Sequence, residues 1–167
     1  MFDPLQICRI LNAEQVDYVV IGGLAAVIRG SSLPTEDIDI VPSRDSDNLD
    51  RLGRALTRLG AMIRTQDEPV PVRLDGPFLA SMPLMLNLIT DAGILDITFV
   101  PAGAAGDYEG WRRGSTAEEI DDGLLIAVAS LDDVIDSKRA ANRPKDLGAL
   151  PYLESLRDEL RRQHGDV

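Results

Sequence analysis

The chain has 167 residues, 44% hydrophobic and 27% charged, with a formal net charge of −11 at pH 7. That size suits one globular domain that buries roughly two-thirds of its unfolded surface, with no need of a disulfide or structural metal. Apolar runs such as residues 124–129 are too short to span a bilayer, the start MFDPLQICRILNAEQ lacks the features of a secretory signal, and the single cysteine, Cys8, cannot form an internal disulfide. A soluble cytoplasmic protein with no membrane partner is expected, and any polyanionic partner must be met by a local basic patch.

Taken in chain order, residues 4–14 predict an amphipathic helix on which Cys8, with Leu5, Ile10 and Leu11, is core filler. YVVIG (18–22) reads as a buried strand ending at glycine, followed by a short helix over Leu24–Arg29. DIDIV (37–41) is the next strand, with a turn at Pro42 and Ser43. Leu49, Leu52, Leu56 and Leu59 then recur at helical spacing up to Gly60. Short strands or loop are expected over 61–74. Residues 84–100 predict a hairpin, two β runs joined by Asp91-Ala92-Gly93. Residues 101–116 are Gly-rich and loop-like, LLIAVA (124–129) is a short strand, and helices begin near Leu131 and Pro144. Residues 61–82 and 101–123 are assigned no role. There is no internal repeat.

The order implies an α+β domain over 1–167: a mixed, mostly antiparallel sheet of about five strands with helices packed on it, a core at about 16–100 and C-terminal helices at about 131–162. Met62, Met82 and Met85 read as core, Trp111 as a packing anchor more than a base-stacking residue, and His164 as a solvated tail residue; one histidine gives zinc hydrolysis little support.

The chemistry lies in the acids. Residues two apart on a strand share a face, so Asp37 and Asp39 stand side by side while Ile38 and Ile40 bury. Two carboxylates that close repel unless a cation intervenes, and hard oxygen ligands suit Mg²⁺ or Mn²⁺. Gly22 and Gly23, between a strand and a helix, present backbone N–H groups that can cradle phosphate. Asp96 shares a strand face with Ile94 and Thr98, opposite Leu95, Ile97 and Phe99, and in so apolar a strand it needs a partner. Three carboxylates converge if this strand lies beside 37–41. Ser130 and Asp133 read as a capping box, and Lys138 falls on the inward stripe of Leu131, Val134 and Ile135, as a snorkelling residue or an ion-pairing one. Arg139, Arg143 and Lys145 cluster beside it as a patch for triphosphate or tRNA backbone.

VVIGG and DIDI, separated by residues 24–36, with a later apolar strand bearing one Asp, resemble the nucleotidyltransferase superfamily of DNA polymerase β. RGSSLPTEDIDI, with Arg29 and a threonine before the acids, is similar to the minimal bacterial AbiEii-like toxin branch, and SLDDVIDSKRAANRPKDLGAL to its helical segment. The resemblance implies a metal-dependent transfer of NMP from an NTP to a hydroxyl. Asp37, Asp39 and Asp96 would be metal ligands, Lys138 would sit at the phosphates with Asp146 orienting it, and Arg29 would serve on the nucleotide side. Many relatives carry serine at the position of Gly23, so Ser31, Ser32 or backbone amides would replace that hydroxyl. The implied acceptors are the 3′ end of tRNA, a protein hydroxyl or a small molecule, and the implied partner is an antitoxin protein. The rival reading is an inactive nucleotidyltransferase fold that binds nucleotide or protein.

Overall fold

The structure, a computed structural model, describes residues 1–165. It contains α1 (Pro4–Ala13), β1 (Tyr18–Ile21), α2 (Gly22–Ile28), β2 (Asp37–Pro42), α3 (Ser46–Arg58), β3 (Met62–Ile63), α4 (Gly76–Ser81), β4 (Met85–Thr90), β5 (Gly93–Thr98), α5 (Tyr108–Gly114), β6 (Thr116–Asp121), β7 (Leu124–Val128), α6 (Leu131–Ala141) and α7 (Pro144–Gln163). The strands form one sheet in the order β3-β4-β5-β2-β1-β7-β6, in which β2–β5 and β1–β7 are parallel and the other neighbours antiparallel.

The sheet is thus mixed and mostly antiparallel, as expected, but it has seven strands and not about five. The two extra strands are its edges. β3 is a two-residue strand, and β6 (TAEEID) carries acids that keep an exposed edge from pairing further. The Gly-rich stretch also folds more than expected, since α5 starts at Asp107, whose side chain accepts a hydrogen bond from the Gly110 N–H. Trp111 is buried there and donates from Nε1 to the Gly106 carbonyl, so it is a packing anchor. Cys8 is buried and His164 exposed. Met85, expected in the core, is 51% exposed, because it starts β4 on the open side of the sheet.

One face of the central strands buries Ile38, Ile40, Leu86, Leu88, Leu95 and Ile97 in the same core as Ile7 and Leu11 of α1 and Leu49, Leu52 and Leu56 of α3. Alternation leaves Asp37, Asp39, Asn87, Ile94 and Asp96 half-buried on the other face. Asn48 of α3 clips this arrangement at the far end of the strands. Its amide pairs with both backbone groups of Asp17, accepting from the N–H at 2.7 Å and donating to the carbonyl at 3.0 Å, and donates to Ser43 O at 2.9 Å. The side chain is fully buried. It therefore ties the start of β1 to the end of β2.

Asn48→Ala leaves the Asp17 N–H and the Ser43 carbonyl without their partner, while the Asp17 carbonyl keeps the Ser43 N–H, and is expected to lower stability by about 2–3 kcal/mol. Thermal unfolding should record a drop of roughly 5–10 °C for a domain of this size.

Candidate active site

The parallel pairing of β2 with β5 sets Asp37 opposite Ile94 and Asp39 opposite Asp96, so the third acid is the lateral neighbour of the second. On its other side β2 pairs with β1, where Ile21 faces Asp39. The chain then turns at Gly22, at φ +64°, into α2. This glycine is required by the acid beside it: a Cβ there would lie 2.3 Å from Oδ2 of Asp39. Gly23 is constrained in the same way, since its Cβ would lie 2.8 Å from the Thr35 hydroxyl. Thr35 Oγ1 is also 3.1 Å from Asp37 Oδ1, to which it donates.

The electrostatics are those of crowded carboxylates. Desolvation, then the negative charges of Asp37 and Asp96, push the Asp39 carboxyl up to about 7, against opposing pulls from Lys145 and Lys138. Desolvation also raises Asp96, although Arg64 opposes it by donating from Nη2 to both carboxylate oxygens at 3.0 Å. Among the described residues no three His, Cys, Asp or Glu side chains form a preassembled metal cage. The expected convergence of three carboxylates is therefore a row: Asp37 and Asp39 along β2, and Asp96 across from Asp39. Such a row fits Mg²⁺, which is bound through one or two carboxylates and completes its sphere with water and substrate phosphates.

A second constellation comes from α6 and α7. Asp146 is fully buried and accepts from Lys138 Nζ at 3.3 Å and from Arg143 Nε at 2.6 Å. Burial alone pushes its carboxyl up, but the Arg143 and Lys138 cations outweigh that and hold it below its usual range. The pairing of Lys138 with Asp146 expected from sequence is present. The basic patch is less uniform than expected: Arg139 turns outward to Glu154, Arg143 is committed to Asp146, and Lys145 is exposed with no ion-pair partner among the described residues.

Three residues expected on the nucleotide side are hydrogen-bonded within the protein. Arg29 binds Ala129 O, Val128 O, Thr116 and Glu118, locking α2 to β6 and β7. Ser32 bonds the Tyr152 hydroxyl on α7, and the buried Ser31 hydroxyl caps the Leu33 N–H. Sequence reading noted the threonine, Thr35, in the motif without giving it a role, and missed Arg64. Thr35 stood two residues before Asp37, within range of a local side-chain contact, whereas Arg64 carried no local signal, because its approach to Asp96 depends on the β3–β4–β5 pairing.

A cavity between α3 and residues 72–76 is lined by none of the three acids, and its Arg73 and Asp75 are paired with each other at 2.8 Å.

No family model matches the chain, and no curated protein does. Solved structures do. A lincosamide antibiotic adenylyltransferase, LnuA, in its lincomycin-bound form, aligns with a TM-score of 0.60 at 18% identity over 92% of this chain and 95% of its own. The ANT(2″)-Ia structure with adenylyl-2″-tobramycin aligns at 0.54 and 16% identity over 97% of both chains. A Thermotoga maritima protein for which nucleotidyltransferase activity has been inferred aligns at 0.51 and 20% identity, over 97% and 96%. At such identities the likeness establishes a shared nucleotidyltransferase fold.

Two outcomes follow from the geometry. Gly22→Ala introduces both a left-handed alanine and a clash with Asp39, and is expected to cost about 1–3 kcal/mol and to weaken Mn²⁺ binding, read by calorimetry. The Asp39 carboxyl is raised in the folded state, so its contribution to stability is complete below about pH 4 and is lost as pH rises through about 7. Asp39→Asn is therefore expected to raise the thermal midpoint of the metal-free protein near pH 8 by several degrees and to change it little near pH 4.

Proposed function

We propose that this nucleotidyltransferase-fold chain is a metal-dependent enzyme that moves an NMP from an NTP to a hydroxyl acceptor. The observation that carries the reading is the register of β2 and β5, which sets Asp39 beside Asp96 immediately next to the Gly22 turn. Asp37 and Asp39, with Asp96 completing the set, would hold Mg²⁺ or Mn²⁺. When bound, the cation supplies neutralisation of the triphosphate and acidification of the attacking hydroxyl.

The protein's own groups do the rest. Asp96, on the open side of the row, accepts the proton of the acceptor hydroxyl, whose oxygen forms the new bond to the α-phosphorus as the bond to pyrophosphate breaks. Backbone N–H groups at Gly22 and Gly23 approach the phosphates. The Thr35 hydroxyl stands in the space that a serine side chain at position 23 would enter, and it takes over the phosphate contact in place of Ser31 and Ser32. Lys138, oriented by the buried Asp146, balances charge on the leaving pyrophosphate. Much of the catalysis is positioning and charge compensation.

From the sequence resemblance to AbiEii-like toxins alone, we infer an acceptor of the tRNA 3′-end or protein-hydroxyl kind and an antitoxin partner. Lys145, exposed and without an ion-pair partner among the described residues, would be available to such an acceptor.

The test is incubation with Mg²⁺, total tRNA and lysate protein, using each NTP labelled in turn at the α and γ phosphates, beside Asp39→Asn. Transfer of α-label only, lost in the variant, is the expected result; γ-label on the acceptor would instead mark a kinase. Thr35→Ala is expected to raise KM for the NTP about tenfold with kcat changed much less, as for removal of a ground-state phosphate contact.

A further inference from the structure

Arg64 is a cation in contact with the acid row that nucleotide handling leaves unused. It leaves the end of β3 with its backbone N–H bonded to Asn87 O, and Asn87 is the register partner of Asp96 on β4. Its guanidinium therefore reaches Asp96 from the β3–β4 side. Gly22, Thr35, Lys138 and Asp146 belong to segments on the β1 side of β2. With the nucleotide entering from β1, the hydroxyl that gives its proton to Asp96 has the β3–β5 face open to it.

That face has a definite chemistry. Met62, Ile89 and Ile94 are half-buried and consecutive across three strands, Met85 is exposed beside Thr98, and Asn87 lies between. A flat, partly apolar floor thus leads up to one carboxylate and one guanidinium. The Arg64 side chain is 39% exposed, and its Nε and Nη1 have no acceptor among the described residues. These unused N–H groups form part of the fork that binds carboxylate or phosphate, while Nη2 keeps Asp96 in place. Any group near the reacting hydroxyl meets this positive charge within a few ångströms.

We propose, building on the nucleotidyltransferase reading, that the β3–β5 face is the acceptor subsite and that Arg64 selects acceptors whose reacting hydroxyl lies close to a phosphate or carboxylate. Polyamine acceptors such as tobramycin are disfavoured by the same charge. The chain's overall acidity does not oppose this selection, because distant surface charges are screened while Arg64 lies beside the acid row.

The experiment is calorimetric binding to the intact protein saturated with Mg²⁺ and α,β-methylene-ATP, which fills the nucleotide side without reacting. Matched probes are AMP against adenosine and ribose 5-phosphate against ribose, with tobramycin as the polycation, each on wild type, Arg64→Gln and Arg64→Lys. The expected result is phosphorylated probes binding about tenfold tighter than their neutral partners, a preference falling to about twofold or less in Arg64→Gln and partly kept in Arg64→Lys. A gain for AMP alone would assign the subsite to nucleotides, and a gain for both pairs to phosphorylated hydroxyls in general. No gain for either phosphate, a gain that survives Arg64→Gln, or tighter binding of tobramycin would overturn the assignment. If Arg64→Gln does not fold, as judged by circular dichroism, the comparison of wild type with Arg64→Lys decides: loss of part of the preference is required. Failure of the Mg²⁺–analogue complex to bind wild type, or equal binding to Asp39→Asn, would instead sink the nucleotidyltransferase reading itself.

Discussion

The rest of the structure depends on holding like charges together. Asp37, Asp39 and Asp96 share the face of two neighbouring strands, and desolvation, followed by the charges of Asp37 and Asp96, pushes the Asp39 carboxyl up to about 7. What offsets this penalty lies on the opposite face of the same residues. Ile38, Ile40, Leu95 and Ile97 are fully buried, and each such side chain contributes about 1.5–3 kcal/mol. Four of them exceed that combined desolvation and repulsion penalty, which is on the order of a few kcal/mol. Because the side-chain period of a strand is two, a slip of one residue would exchange acids and isoleucines, so the core also fixes the register that the site needs.

The same period made the centre of the site legible in the sequence. DIDI flanked by glycine and an apolar strand states which residues face the core, and Asp96 alternates in the same way. Lys138 followed from helical spacing, and its pairing with Asp146 from the likeness of KDL. Legibility failed where the outcome rests on contacts far apart in the chain. Arg29 looked like part of the acid motif because it is near in sequence, yet it ends its helix facing β6, a strand too acidic and too exposed to be read as one. Ser31 and Ser32 lie beyond the end of α2, whereas Thr35 is carried back to Gly23 as the chain returns toward β2. Arg64 belongs to a two-residue edge strand whose existence depends on β4. The short helices α4 and α5 did have a local signal, an Asp cap before a glycine-containing turn, with Pro77 also in the first turn of α4.

The glycine pair changes meaning once its neighbours are known. In sequence it suggested only room for phosphate. In the structure the space left by each missing side chain is already claimed, by the Asp39 carboxylate at Gly22 and by the Thr35 hydroxyl at Gly23. The close approach serves the protein's own polar groups first, and a phosphate approaching the backbone there meets an acid and a hydroxyl as well as N–H groups. The hydroxyl beside position 23 thus arrives from twelve residues further along.

Charge is then distributed by strand order and not by composition. A chain of net charge −11 keeps Lys138 and Arg143 anchored on a fully buried Asp146 at one side of the acid row and Arg64 at the other. Asp146 is stable as an anion only because those two cations surround it, so the α6–α7 junction and the positive side of the site are one unit. Arg64 has no such anchor beyond Asp96 itself. Its position is set by the β3 edge, which shares few backbone bonds with the sheet, and not by the core. One side of the row is therefore anchored on a buried ion-pair cluster, while the opposite side rests on a short edge strand.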